Sequence, residues 1–423
     1  MVECVEGKKL LILGGSANEI SLVKRAKELG VYVIVVDYFK DRIKSPAKNY
    51  ADEVWDDDWS DVDFIVNKCK ENKVDGITAG YSEIKINYLI KICEKLNIPC
   101  YATAEQLEIT RDKKKFKEEC RKCGVSTVKE YNTIDEVDRY PVIVKPTDRG
   151  GSIGISIANN YNELVNAYSY AMDLSLEKRV IIEQYITDTK VDVYYAVMDG
   201  EIIQLTTNDA IMSGKNGIKR VVQDAWMYPH KKAKNSFIKE EKALKEMIKD
   251  MGIKNGCIFF SGFYDDDDNY TFFECGFRLE GGHQYNYTYQ KGPFNFLDLF
   301  IYHALLGNSK NIQFTNKCMP DLKQVTVNLY AKKGVIKEIH GFDLLSKMPN
   351  CIFHLVSAHI GQECSEDRAI LTKIGMFSIA ARDSKIIEQD IENALKLISV
   401  VDLEGNDMIY SRIQTDFISS WWN

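Results

Sequence analysis

The chain has 423 residues, enough for two to three domains with sizeable cores. Its 55 Lys and Arg against 62 Asp and Glu leave a net charge of −7, which argues against a general nucleic-acid binder or an anionic membrane surface, so any anion site has to be local. The N-terminal apolar run is too short for a signal sequence or spanning helix and nothing later approaches the length needed, while eleven scattered cysteines suit a reducing, cytoplasmic setting.

Apolar runs at residues 9–13 and 31–36 flank a helix-like segment at 16–29 closed by Gly30, a βαβ opening. Strand-like residues 76–79, a helix over 84–96 and a strand over 98–101 extend it into a Rossmann-like parallel layer. Gly14-Gly15-Ser16 with Asp37 at the end of the next strand is an incomplete GxGxxG pattern and reads as a turn. Tyr81-Ser82-Glu83 stands at a strand's C-terminal end, where such a sheet presents polar groups to a ligand. Glu83 is thus a substrate-contact candidate, with helix capping as the alternative.

Thr110-Arg111-Asp112-Lys113 opens a charged helix with Asp112 as N-cap and Gly124 as its stop. Lys113 opposes the helix dipole in the first turn, a poor choice unless an anion lies nearby. Cys120 and Cys123 form the only CxxC, at the helix's C-terminal end where the dipole raises thiol pKa, and with no second pair to complete a zinc site they read as structural. Next, VIVKPTDRGGSIGI at residues 142–155 is a buried strand that delivers Lys145 into a loop whose Gly150, Gly151 and Gly154 free backbone N–H groups to face phosphate oxygens. It is not the GxxxxGK[ST] loop, since the lysine precedes the glycines. Residues 180–186 form a strand running into a polar turn able to present backbone groups to a flat base, and a strand over 191–198 follows.

Residues 208–232 look irregular and polar, with Arg220 and His230 among them, as binding loops are. Helices are expected over 239–251 and 296–306, and the tetra-aspartate at 265–268 reads as a solvated hairpin tip. The apolar strand 270–274 ends in Glu274, with Arg278 four residues beyond, a charge pair that is either structural or a site. His283, after Gly281-Gly282, is a candidate for substrate contact or loop packing. Strands over 324–330, 335–339 and 356–359, a helix over 386–397 and the Trp421-Trp422 tail complete the chain.

The order and spacing of Asp112-Lys113, Lys145 with its glycine loop, the Glu183 strand and Glu274 with Arg278 resemble the ATP-grasp superfamily, in particular its biotin-carboxylase-like and carboxylate–amine ligase branch. The resemblance implies a multidomain α/β and α+β architecture. A Rossmann-like parallel sheet at 1–110 would precede an ATP-grasp domain at 111–310 with a lid portion at about 141–203, and a small β-rich domain at 311–423 would follow.

It also implies that Lys113 and Lys145 contact ATP phosphates, that Gly150, Gly151, Ser152 and Gly154 cover them, and that Glu183, Gln184, Tyr185 and Ile186 form the adenine hinge. Glu274 would bind Mg2+, or Mn2+ in its place, and Arg278 would act on the transferring group. The chain departs from the family pattern in three places. Gly276 stands where an asparagine ligand is usual, Ser261 stands for an upstream carboxylate, and Lys190 stands for the ribose-binding glutamate, with Asp192 as the nearest substitute. The implied activity is an ATP-dependent ligation of a small acid to a small amine through an acyl phosphate, without nucleic-acid or membrane partners and compatible with a homodimer. Alternatives are a bicarbonate-dependent carboxylase or carbamoyl-type enzyme, a phosphoribosylglycinamide-synthetase-like ligase, or a nucleotide-binding regulator without turnover.

Overall fold

The near-continuous apolar runs of the N-terminal region form a parallel sheet ordered Glu53–Trp55, Tyr32–Val36, Lys9–Leu13, Gly76–Thr78, as expected of strands buried on both faces. The computed structural model describes residues 4–149, 153–212, 222–232, 239–289, 294–312, 322–365 and 372–422. One partner of this sheet is the helix Phe296–Leu306, apolar nearly all round. Gly76 allows the close approach, because a Cβ there would lie 2.3 Å from the Ala304 carbonyl oxygen. A paired contact from Arg25 to the two oxygens of Asp298, at 2.7 and 2.9 Å, ties the first helix, Glu19–Glu28, to the same element.

Eight antiparallel strands build the large sheet, in the order Tyr270–Gly276, Gly256–Tyr264, Thr189–Met198, Glu201–Met212, Gln223–Tyr228, Lys323–Tyr330, Lys373–Ala381, Cys351–Val356. The sheet continues across residue 310, since Gln223–Tyr228 pairs directly with Lys323–Tyr330. Alternation splits its faces. Ala225, Met227, Val325, Val327, Phe377 and Ile379 join one apolar cluster with Ile387 and Ile391 of the helix Ser384–Leu397, whereas Trp226, Tyr228, Thr326 and Ser378 face the other way.

A second, four-stranded sheet is ordered Glu130–Tyr131, Val180–Gln184, Val142–Pro146, Ser156–Ala158 and packs its own small core against the helix Tyr161–Leu174. It ends at Gln184, and Thr189–Met198 is a strand of the large sheet. Residues 208–232, expected to be irregular, contribute to two strands, Glu201–Met212 and Gln223–Tyr228. The expected strand at 356–359 lies earlier, at Cys351–Val356. The tetra-aspartate is an exposed turn between Gly256–Tyr264 and Tyr270–Gly276, with Asp265 accepting from Asp267 and Asn269. All ten cysteines among the described residues are free, and burial pushes the Cys120 thiol up to about 12. Among the described residues no helix is long and apolar enough to cross a membrane.

Candidate active site

Asp112 caps the helix Lys113–Lys122, its carboxylate accepting from the N–H groups of Lys114 and Lys115 at 2.9 and 3.1 Å. Lys113 therefore begins the first turn and reaches inward, donating from Nζ to the Arg149 carbonyl at 2.9 Å. Lys145, 4% exposed on the strand Val142–Pro146, places Nζ 2.7 Å from Glu183 Oε2. The other oxygen of Glu183 is bonded by Lys117, a fully buried lysine that also lies 3.3 Å from Glu130. Burial, with Lys117 and Lys113 close by, holds the Lys145 pKa well below the usual lysine range, and burial lowers that of Lys117 to about 8. Sequence reasoning missed Lys117. Its signal was the i,i+4 spacing from Lys113, which puts the two on one helix face.

The second wall comes from the large sheet. Glu274, Ser261 and Asp192 are register partners across three adjacent strands, and Ser261 donates to Asp192 at 2.6 Å. Glu274 lies deep yet keeps part of its surface open. Burial alone would raise its pKa, but Lys113, Lys190, Lys145 and Arg278 outweigh burial and hold the carboxyl below its usual range. Gly276 has a steric reason, because a Cβ there would lie 2.4 Å from the Phe259 ring. That ring also carries the Arg278 guanidinium 5.2 Å from its centroid. Asp192 is fully buried and accepts from Asn208 at 3.2 Å, with Lys190 at 3.8 Å.

Arg278 meets Glu83 at 3.1 Å, so two residues far apart in sequence and both predicted as site residues form an ion pair. Glu83 opens the helix Glu83–Leu96, and Ser82 occupies the N-cap position without a side-chain cap bond. Glu83, Lys113, Arg149, Phe259, Glu274 and Arg278 line a cavity of about 100 Å³, room for a few waters or a phosphoryl group. Next to it, Phe263 and Phe273 pack with ring centroids 5.1 Å apart, and Lys145 and Lys190 lie over Phe273 at 5.2 and 5.8 Å.

The hinge candidates Glu183 and Gln184 end a strand of the small sheet, and Tyr185 donates its N–H to the Pro141 carbonyl at 3.1 Å, just before Ile186. Gly154 has φ +75°, the left-handed turn a glycine permits. Gly150, Gly151, Ser152 and Arg220 lie outside the described residues. His283 is buried away from this cavity, bonded to Tyr285 and Asn18, and burial lowers its pKa to about 3. It packs as a neutral side chain. Glu280, which the sequence reading passed over, accepts from Tyr194 at 2.6 Å, and burial, with Asp192 as a like charge, pushes its pKa up to about 7.

A model of the D-ala D-ala ligase C-terminus matches residues 104–254, the stretch holding Lys113, Lys145 and Glu183. This part of the chain is similar to that ligase domain. Among curated relatives, the 2-oxoglutarate carboxylase small subunit of Hydrogenobacter thermophilus is 26% identical over 235 residues, covering 49% of this chain and 49% of that protein. The D-alanine–D-alanine ligase of Fusobacterium nucleatum is 36% identical over 95 residues, 22% of this chain and 30% of the ligase. The match thus spans at most about half the length of these relatives. The likeness of fold extends further. The L-amino acid ligase of Bacillus licheniformis superposes with a TM-score of 0.74 at 16% identity over 94% of this chain and 99% of its own, and the biotin carboxylase of Campylobacter jejuni with 0.74 at 17% over 98% and 95%.

Proposed function

We propose that the protein is an ATP-dependent ligase that joins a small carboxylic acid to a small amine. The observation that carries this reading is the convergence of Lys113, Lys145 and Arg278 on one ionised carboxylate, Glu274. Such a site suits the polyphosphate of Mg-ATP, and burial pushes the Cys275 thiol beside it well above its usual range, away from the nucleophilic thiolate. Glu274 fits a divalent cation as a single hard ligand beside the Ser261 hydroxyl, and Mg2+ or Mn2+ would there neutralise phosphate charge while retaining waters. Phe263 and Phe273 offer an apolar surface to the base, and the Tyr185 N–H is already engaged, so adenine would be read by other main-chain groups of the hinge.

The acid's carboxylate oxygen attacks the γ-phosphorus of ATP, the bond to the β-phosphate oxygen breaks, and ADP leaves. Lys113 and Lys145 hold the phosphates through this step. Arg278, kept charged and oriented by Glu83, counters the charge that builds on the transferring group. The resulting acyl phosphate needs protection from water.

The reading is tested with hydroxylamine, which traps acyl phosphates as hydroxamates. Across a panel of small acids with Mg-ATP, the protein should yield a hydroxamate together with ADP. Arg278→Ala should lower that rate about a hundred- to a thousandfold, the usual cost of removing one transition-state donor. Tight ATP binding with no hydroxamate from any acid would instead favour a nucleotide-binding regulator, the reading that Ser261 and the Phe259-filled space at Gly276 support.

A further inference from the structure

Lys190 is a cleft cation with no part in the proposed transfer step. It is the second residue of the strand Thr189–Met198, and strand alternation puts it on the same face as Asp192. Its register partner on the neighbouring strand is Phe263, while Ser261 pairs with Asp192 on one side and with Glu274 on the other. Along that second pairing the register steps from Ser261 and Glu274 to Gly262 and Phe272, so Phe273 is an extra, bulged residue beside Glu274. The Lys190 ammonium lies 5.8 Å from the centre of the Phe273 ring.

The side chain of Lys190 is only 11% exposed, yet among the described residues its ammonium makes no hydrogen bond. The nearest carboxylate oxygen, Asp192 Oδ1, is 3.8 Å away, too far for one, and already accepts from Ser261 at 2.6 Å. The other phosphate-site lysines are held, Lys113 by the Arg149 carbonyl at 2.9 Å and Lys145 by Glu183 at 2.7 Å. An ammonium carries three donors, and leaving all three unused in a nearly buried place costs stability unless a ligand takes them. The electrostatics give the direction. Against burial, which alone would raise the Glu274 pKa, Lys113 and then Lys190 do most to hold it down, ahead of Lys145 and Arg278. Lys145 reaches the same Phe273 ring at 5.2 Å from the small sheet, so an anion entering beside that ring is drawn by ammonium groups from both sheets.

We propose that Lys190 is a third phosphate-binding lysine, which donates directly to the nucleotide's phosphate oxygens from the large-sheet side. The proposal rests on the reading that the cleft takes ATP, and it adds a ligand that acts on the phosphates without a metal ion between. In the pattern the sequence resembles, this position carries an acid for the sugar hydroxyls. An ammonium accepts nothing from a hydroxyl and is matched to an anion, so this chain turns the position from sugar to phosphate.

The test is ATP affinity by calorimetry, once with Mg2+ and once with EDTA. Lys190→Met keeps the apolar stem along the Phe273 ring and removes the charge. It should weaken ATP about ten- to a hundredfold under both conditions, the usual loss for a charge-assisted contact, and should bind adenosine, which has no phosphate, as the wild type does. Lys190→Arg, which returns a cation, should recover most of the ATP loss. Equal losses for adenosine and ATP would mean a structural role, and a loss confined to the Mg2+ condition would mean that Lys190 only supports the metal site; either overturns the assignment, as does Lys190→Arg binding no better than Lys190→Met. Unchanged ATP affinity in Lys190→Met would overturn it too, and a lost response to the acid found in the hydroxylamine assay would then give Lys190 to that acid's carboxylate. In all these cases the wild type binds ATP and Lys145→Ala weakens it. A wild type that binds no ATP under either condition would instead overturn the nucleotide reading itself.

Discussion

The two sheets that face each other across the cleft treat their buried charges in opposite ways. On the small-sheet side every cation named in the site has a partner. Lys113 is held by a carbonyl, and Lys145 and Lys117 share Glu183. On the large-sheet side, Asn208 Oδ1 and Trp226 Nε1 are buried with no hydrogen-bond partner among the described residues, and like charges on Asp192 and Glu280 are neighbours. A site for a constant ligand can be pre-organised with stand-in carboxylates and carbonyls, because the phosphates that replace them always have the same form. Buried donors and acceptors left open on the other wall come at a cost to stability.

The largest test of this contrast is structural. Lys117→Met should destabilise the protein by about 3–5 kcal/mol, because Glu183 would keep only one of its two buried cations. Arg121→Ala, which removes an exposed partner of Glu130 on the same helix, should cost less than about 1 kcal/mol. Denaturant titration of both variants decides it, and equal losses would mean that the buried lysine pairs contribute no more than surface ones. A smaller effect is expected in binding. Lys145→Ala should weaken Mg-ATP about ten- to a hundredfold, from the loss of about 1.5–3 kcal/mol for a charge-assisted contact, and should correspondingly shrink the Mg-ATP-induced rise in melting temperature. An unchanged rise would show that Lys145 serves Glu183 and not the nucleotide.

How much of this was legible in sequence follows from how local each signal is. Lys145 and Glu274 sit on short apolar strands beside a glycine loop or an arginine, and Asp112 marks its helix start, so each could be read within a few residues. The pairing of Arg278 with Glu83 joins residues 195 positions apart, and no local pattern states it. Residues 208–212 and 223–228 looked like loop because their polar content is high, yet they are strands, with Ala210, Trp226 and Tyr228 in one apolar cluster and Ala225 and Met227 in another. Alternation rules assume that one face is apolar, and they fail at Asn208 and Asp209, neighbours on one strand that put buried polar groups on both faces. Of the three C-terminal strands of the large sheet, Lys323–Tyr330 was read as a strand, Cys351–Val356 was expected a few residues later and Lys373–Ala381 was not read, and their union with the central region depends on register between distant segments. Glu280 had no signal at all, since its environment comes from Tyr194, Tyr228 and Lys373.

The finest test of the contrast is the pH dependence of stability at Glu280. Burial first, and the Asp192 charge second, raise its pKa in the folded protein from 4.5 to about 7. Between those values the folded protein holds a proton that the unfolded chain has released, so the contribution of Glu280 is fully present below about pH 4.5 and is lost as pH rises through 7. Glu280→Gln has no such proton. The stability of the wild type relative to Glu280→Gln should therefore fall on going from pH 4.5 to 7.5, by on the order of 1 kcal/mol once the part of Glu280 that faces solvent is discounted. Asp209 and Asp224, raised to about 6 by burial, titrate in the same window but are common to both proteins and cancel in the difference. A flat difference across that range would place Glu280 in a solvated, unstressed setting, and the large-sheet wall would then be no less satisfied than the small-sheet one.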